Sequence, residues 1–253
     1  GREWISGFNG SAGTAVVTLK SAALWTDSRY FLAAEQQLAG SEYQLMRLKV
    51  DGTPTIAEWI GQQCEAGSEV GIDGTVSCYA ETEALKAELR HQGGMTLRLN
   101  LDPLTRIWND RPAIPQHKIE LQPLEFAGET TASKLDRIRQ ALRRQHCDGM
   151  LMSALDDIAW TLNMRGTDVH CNPVFVSYLV IEHEKTTLFV DNDKLTSEVS
   201  AYLAMLSIKV LPYNEVEKYL KRDYFAYNIL LDPNETNSYL VACAKEGRAA
   251  VVL

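Results

Sequence analysis

Positive charge is in short supply in this 253-residue sequence, where 25 Lys and Arg stand against 33 Asp and Glu for a formal net charge of −8. That balance argues against a sequence-independent hold on nucleic acid, which needs clustered cations to displace counterions from phosphates. Apolar runs of membrane-spanning length are missing, and no stretch reads as a secretory leader, so no membrane partner is expected. Five cysteines (Cys64, Cys78, Cys147, Cys171, Cys243) are an odd, scattered set with no Cys-x-x-Cys pair. Such usage fits buried thiols in a reducing cytoplasm rather than a disulfide framework. Familiar catalytic signatures are missing as well. His183-Glu184 is followed by Lys185-Thr186-Thr187, which offers no second imidazole one helical turn on. There is no Gly-x-Ser-x-Gly elbow, no dinucleotide fingerprint and no phosphate loop. Gly7, Gly10 and Gly13 recur at intervals of three and read as a tight turn before a strand.

What is present is a chain that can bury a real core, with 45% hydrophobic and 23% charged residues. β-rich runs alternate with helical patterns throughout, which predicts an α/β protein. In the first half, residues 14–19 and 22–26 read as a hairpin feeding a helix over 29–38, then a strand over 43–50. A helix with Pro54 in its first turn follows. A strand over 69–72, a helix over 77–91, a strand over 95–99 and a short helix near 103–108 complete this half. Residues 1–112 are therefore assigned to a first domain. The proline-bearing stretch 113–129 is assigned to a linker and 130–253 to a second domain. In the second half, helices over 134–145 and 156–163 flank a strand over 149–153. A hairpin over 174–181 and 186–190 leads to a helix over 196–205 and a strand over 208–211. The order hairpin, helix, strand thus occurs twice, Leu24-Trp25-Thr26-Asp27 closing the first hairpin and Leu188-Phe189-Val190-Asp191 the second. That repetition points to a duplicated domain.

Several residues are weighed as chemistry. The basic stretch 137–144 lies on a helix whose Leu135, Ile138 and Leu142 must face inward, so its charges read as a solvated face. Asp156-Asp157 read as helix N-capping rather than as an acid–base pair. His91, His117 and His146 fall at helix ends or in the linker. The polar loop containing Arg165, Asp168, His170 and Asn172 joins a helix to a strand, where binding groups collect. It reads first as a structural loop, with a nucleophile site of Cys171, His170 and Asp168 as the alternative. Asp27 is placed to cap the following helix, and Arg29 either to pair with it or to reach across an interface.

Longer strings say more. Trp4-Ile5-Ser6-Gly7-Phe8-Asn9-Gly10-Ser11-Ala12-Gly13-Thr14-Ala15 and Leu24-Trp25-Thr26-Asp27-Ser28-Arg29-Tyr30-Phe31 closely resemble the first domain of the Xaa-Pro aminopeptidases (aminopeptidase P). Ile107-Trp108-Asn109-Asp110-Arg111-Pro112 resembles that family's exit from domain one. Ser153-Ala154-Leu155-Asp156-Asp157-Ile158-Ala159-Trp160-Thr161-Leu162-Asn163-Met164-Arg165-Gly166 and Asn172-Pro173-Val174-Phe175 resemble its second domain.

The resemblance implies two tandem creatinase/prolidase N-terminal-type domains, each a mixed β-sheet flanked by helices. It further implies that the catalytic pita-bread domain lies outside residues 1–253, and that a strand and helix precede Gly1. The parent would be a cytoplasmic, homodimeric metallopeptidase that cleaves short peptides with proline in second position. Two divalent metal ions, manganese by expectation, would activate its water. For the present chain the resemblance implies no catalytic residue, no metal ligand and no cofactor, and an inactive fragment that serves dimerisation and substrate gating. It makes Phe8, Asn9, Ser11, Asp27, Arg29 and Tyr30 the candidates for the gate or interface, beside the second-domain loop residues Arg165, Asp168, His170 and Asn172. Two alternatives stay open: a free-standing peptide- or protein-binding module of the same fold, and the N-terminal region of a prolidase or creatinase relative.

Overall fold

The alternating run that ends at Thr26 folds back on its neighbour. β1 (Thr14–Val17) and β2 (Ala22–Thr26) pair antiparallel, Thr14 opposite Trp25 and Val17 opposite Ala22. The turn is made by Thr18, whose Oγ1 accepts the amides of Lys20 and Ser21, so the first strand stops two residues short of Leu19. The computed structural model of the chain describes residues 1–221 and 228–253. Clustering of backbone contacts divides them into two units, Gly1–Asp73 with Glu81–Asn109, and Gly74–Ala80 with Asp110–Leu253.

In the first unit, α1 (Arg2–Ser6) precedes the hairpin, and α2 (Phe31–Gln37) carries the chain to β3 (Tyr43–Arg47), which joins β2 in parallel. α3 (Ile56–Gln63) starts two residues after Pro54 and not through it. Thr55 is its N-cap, in a capping box with Glu58 that satisfies two amides reciprocally. β4 (Glu69–Gly71) and β5 (Thr96–Arg98) pair in parallel on either side of α4 (Tyr79–His91). No helix forms near 103–108. Asp102 instead accepts the amide of Leu104 and the hydroxyl of Thr105, which holds a turn there, and Trp108 stacks on Trp4 at 5.2 Å. The unit is centred on Ala23, Trp25, Trp59, Ile60, Leu89 and Met95.

The second unit begins with β6 (Glu120–Leu121), α5 (Leu124–Ala127), α6 (Thr131–Arg144), β7 (Gly149–Met152), α7 (Leu155–Leu162) and β8 (Met164–Arg165). β9 (Tyr178–Glu182) and β10 (Thr186–Phe189) form the second hairpin. A 3₁₀ turn (Asn192–Lys194), α8 (Ser197–Met205), β11 (Ile208–Leu211), α9 (Val216–Leu220), β12 (Asn228–Leu231), α10 (Ser238–Glu246) and β13 (Ala250–Val252) follow. Six strands make a mixed sheet in the order β11-β10-β9-β7-β12-β13, while β6 and β8 form a separate antiparallel pair. Strand alternation sends Leu179, Ile181 and Leu188 to one face, covered by α6, α7 and α8, and Val180, Phe189 and Ile229 to the other, covered by α9 and α10. The fold expected from the resemblance is thus observed: mixed sheets flanked by helices. β1-β2-β3 and β9-β10-β11 share one connection, an antiparallel hairpin and then a helical crossover to a parallel neighbour.

Three local expectations need correction. Residues 174–177 lie outside β9, because Asp168 Oδ2 accepts the Val176 amide at 2.7 Å and so takes a donor that a ladder would use. Asp156 and Asp157 do not cap α7. That helix starts at Leu155 with Ala154 as N-cap, which leaves both carboxylates inside the first turn, where they favour the helix dipole. Nor is the basic side of α6 wholly solvated, since Arg139 donates to Glu182 O at 3.1 Å and Thr186 Oγ1 at 3.0 Å.

Candidate functional site

Two strings separated in sequence meet in the first unit. The loop after α1 is held by Arg2, which donates to Gly13 O at 2.8 Å and to Gly10 O, and whose guanidinium lies over the Phe8 ring. Phe8 is fully buried and forms the floor of the loop. Gly10 lies directly on that ring, and a Cβ there would sit 2.2 Å from Phe8 Cζ, so only glycine fits. The strand-to-helix corner after β2 then closes over the loop. Thr26 Oγ1 donates to Ala12 O at 2.7 Å, Tyr30 meets Phe8 edge to face at 5.9 Å, and the Tyr30 and Ser11 hydroxyls are 2.6 Å apart. Asn9 and Gln37 exchange two hydrogen bonds, of 3.1 and 2.8 Å, which ties the loop to α2 as well.

Phe8, Asn9, Ser11, Asp27, Arg29 and Tyr30 therefore form one cluster, with Phe8 underneath and Asn9, Ser11 and Arg29 at the surface. Asp27 does not cap α2, whose N-cap is Tyr30. It grips Arg29 in a two-pronged pair, Nε to Oδ1 at 2.9 Å and Nη2 to Oδ2 at 2.7 Å, and also accepts the Arg29 amide. The guanidinium rests over the Tyr30 ring, yet the Arg29 side chain stays 67% exposed. It is an oriented cation with an open outer face.

Hydrogen bonding from the Arg29 side chain holds the Asp27 carboxyl down from 3.8 to about 2, and the same bond raises Arg29. The hydrogen bond to Ser11 lowers Tyr30. Because the folded Asp27 carboxyl titrates below its unfolded value, its contribution to stability is complete above pH 3.8 and is lost as pH falls towards about 2. In an Arg29→Ala protein, carboxyl-detected NMR is expected to place the Asp27 midpoint back in the ordinary carboxylate range. A midpoint left near 2 would assign the shift to other groups.

The second-unit candidates are not gathered in the same way. Arg165 donates from Nη1 to Ala159 O and Met164 O, both at 2.8 Å, closing the end of α7. The Asp168 side chain is fully buried, bonded to the equally buried Lys194 and 3.5 Å from His117 Nδ1. Its imidazole neighbour is thus His117, not His170. His170 and Asn172 stand exposed on a turn in which Asn172 donates to Val169 O and Cys171 has a φ of 59°. The Cys171–His170–Asp168 alternative has no such geometry. Among the described residues, no group of three or more His, Cys, Asp or Glu could hold a metal ion.

Some key side chains give no sequence signal. Lys134 is buried against the ring of Trp160 at 4.1 Å, and its ammonium donates to Trp160 O at 2.8 Å and to Asn163 Oδ1 at 2.7 Å. Lys194 is likewise enclosed. Lysine is so seldom interior that neither position could be singled out beforehand. The partner role of Gln37 was equally hidden, since it depends on a contact 28 residues distant.

Comparison with known proteins matches this arrangement to a family. The Creatinase/Prolidase N-terminal domain matches twice, over residues 1–99 and 110–252. Aminopeptidase P2 of Arabidopsis thaliana is 40% identical over 98% of this chain and 36% of its own length. A probable Xaa-Pro aminopeptidase P of Neosartorya fischeri is 39% identical over 85% of this chain and 33% of its own. The chain thus spans about a third of the curated relatives it matches. The crystal structure of X-prolyl aminopeptidase from Caenorhabditis elegans, described as a cytosolic enzyme with a di-nuclear active site, superposes with a TM-score of 0.90 at 29% identity. It covers 99% of this chain and 42% of that one. The chain belongs to the creatinase/prolidase N-terminal domain family, in the form found in the Xaa-Pro aminopeptidases, and carries that domain twice.

Proposed function

We propose that these residues are the N-terminal, non-catalytic part of a metal-dependent Xaa-Pro aminopeptidase, and that they serve substrate gating and dimer formation. The parent would hydrolyse the bond between an N-terminal residue and a following proline in short peptides, as a cytoplasmic homodimer. The family's di-nuclear centre would supply a metal-activated water. Manganese is the metal proposed. The described residues offer no ligand cluster that fits such a centre.

The observation that carries the gating role is Arg29, oriented by Asp27 and Tyr30 and left exposed above a loop fixed at four points. An arginine held in that way loses little entropy on meeting a carboxylate, whether on a peptide or on a partner subunit. Of the second-unit candidates, His170 and Asn172 have the exposure a contact requires. Asp168 and Arg165 are assigned to holding that loop in place.

The test is Arg29→Ala in the full-length enzyme. Its kcat/KM on an Xaa-Pro tripeptide is expected to fall about ten-fold, equivalent to about 1.4 kcal/mol, or its dimer to dissociate at higher concentration. Unchanged kinetics together with unchanged dimerisation would remove the proposal. Residues 1–253 alone, with added manganese, are expected to give no turnover.

A further inference from the structure

In an open α/β sheet, ligands enter the crevice at the carboxyl ends of two parallel strands whose following helices lie on opposite faces. Among the described residues the second unit has two such places, β10 beside β11 and β7 beside β12. β7 and β12 are parallel neighbours; α7, after β7, packs on one face, and α10, after β12, on the other. Around Ser153, Tyr178, Glu235 and Asn237 the crevice keeps a cavity of about 290 Å³. It is also bounded by Gly74–Ala80, a turn and bend that run into the first residues of α4. We propose that this crevice is a peptide-docking groove and that residues 74–80 are its resident ligand.

The contacts are backbone hydrogen bonds on either side of a single antiparallel bridge. Tyr79 N donates to Thr236 O and Ser238 N to Ser77 O, both at 2.9 Å. Farther out, Ala80 N donates to Pro233 O and Tyr239 N to Gly74 O, at 2.9 and 3.1 Å. These are two reciprocal exchanges, and Cys78 faces Asn237 as an antiparallel bridge between them. At the same spacing the two segments share an aspartate, Asp73 and Asp232, and a hydroxyl residue, Ser77 and Thr236. Side chains add selectivity. Ser238 Oγ donates to Ser77 O and Cys78 O, and Lys245 Nζ reaches Tyr79 OH at 2.7 Å while lying over its ring. The groove side is buried at Thr236, Asn237 and Ser238, whereas Thr75 and Val76 of the segment face solvent. A ligand lying on the outside of a finished core can leave without dismantling it.

Tyr79→Pro tests this in the full chain. Tyr79 is the first residue of α4, where proline is tolerated, and the change deletes both its amide donor and its hydroxyl. Amide exchange across 235–240 is expected to rise at least about ten-fold, with the rest of the second unit unchanged. A labelled synthetic peptide of residues 72–82 is expected to bind this variant saturably and to restore protection, and not to bind the wild type. A folded variant that refuses the peptide, or shows unaltered exchange, overturns the proposal. If Tyr79→Pro does not fold, Tyr79→Phe removes only the bond from Lys245. Faster exchange at the amides of residues 79 and 238 is then expected, and unchanged rates there overturn the idea equally.

Discussion

Trp25→Ala is expected to cost the first unit about 3–5 kcal/mol, a large share of what a domain of that size commands. Trp25 is 1% exposed and meets Trp59 edge to face at 5.5 Å, so its removal opens a cavity walled by a second large ring. That ring cannot collapse into the space without leaving its own contacts on α3, and the cost rises with the volume that stays empty. The indole also donates to Pro54 O at 2.9 Å, which fixes the approach to the Thr55 cap. Trp25→Phe keeps most of the volume and loses that bond, so a smaller loss of about 1–2 kcal/mol is expected. Guanidinium unfolding followed by peptide-resolved hydrogen exchange separates the two units. Residues 1–73 and 81–109 should lose protection at lower denaturant while β9 and β10 keep theirs. A shift below about 1 kcal/mol for the alanine variant would show that the pair is not the centre of this core.

The same residue shows why parts of the fold were legible in advance. A strand that packs on both faces reads as a continuous apolar run, and the expected strand over 22–26 has the observed bounds. β11 and the order of elements around both hairpins were equally open to pattern. Boundaries failed wherever a polar side chain intercepted the backbone. Thr18 ended β1, Asp168 delayed β9, and Asp102 turned 103–108 away from a helix. Each is a short-range bond that competes with regular structure at small energetic difference, which periodicity does not register. Pairings between distant strands, such as β7 with β12, could not be read at all, because parallel neighbours carry no turn signal.

For the candidate site, the strings resembling aminopeptidase P contain six residues that meet in the first unit, and pairing with Asp27 is one of the two roles that the sequence leaves open for Arg29. Which of the six would lie underneath was not readable. An aromatic in a glycine-rich loop looks the same in sequence whether it projects or, like Phe8, is enclosed by Arg2, Gly10 and Tyr30. In the second unit the loop containing Asp168 was legible as polar, but the partner of its carboxylate was not, since Lys194 is 26 residues away and buried.

That ion pair gives the other large effect. Lys194→Met is expected to cost the second unit about 3–5 kcal/mol, because it leaves the Asp168 carboxylate enclosed without its cation. His117 cannot take over. Its ring is 60% exposed and 3.5 Å from the other carboxylate oxygen, in a position where charge pairing is screened by water. The cost belongs to the stranded charge and not to the pair as such, and a second substitution exposes the difference. Asp168→Asn in the Lys194→Met background removes the charge and keeps an acceptor for the Val176 amide, so most of the stability should return. Asp168→Ala in that background removes the acceptor too, and a deficit of about 1–3 kcal/mol should persist from the orphaned amide. Denaturant midpoints for the three proteins therefore separate the ionic part of this junction from its hydrogen-bonding part. A Lys194→Met protein within about 1 kcal/mol of wild type would mean that water reaches the carboxylate. The anchored loop bears the exposed His170 and Asn172. Hydrogen exchange across 166–177 should accordingly quicken in Lys194→Met and recover with Asp168→Asn, linking a buried charge to the order of a surface turn.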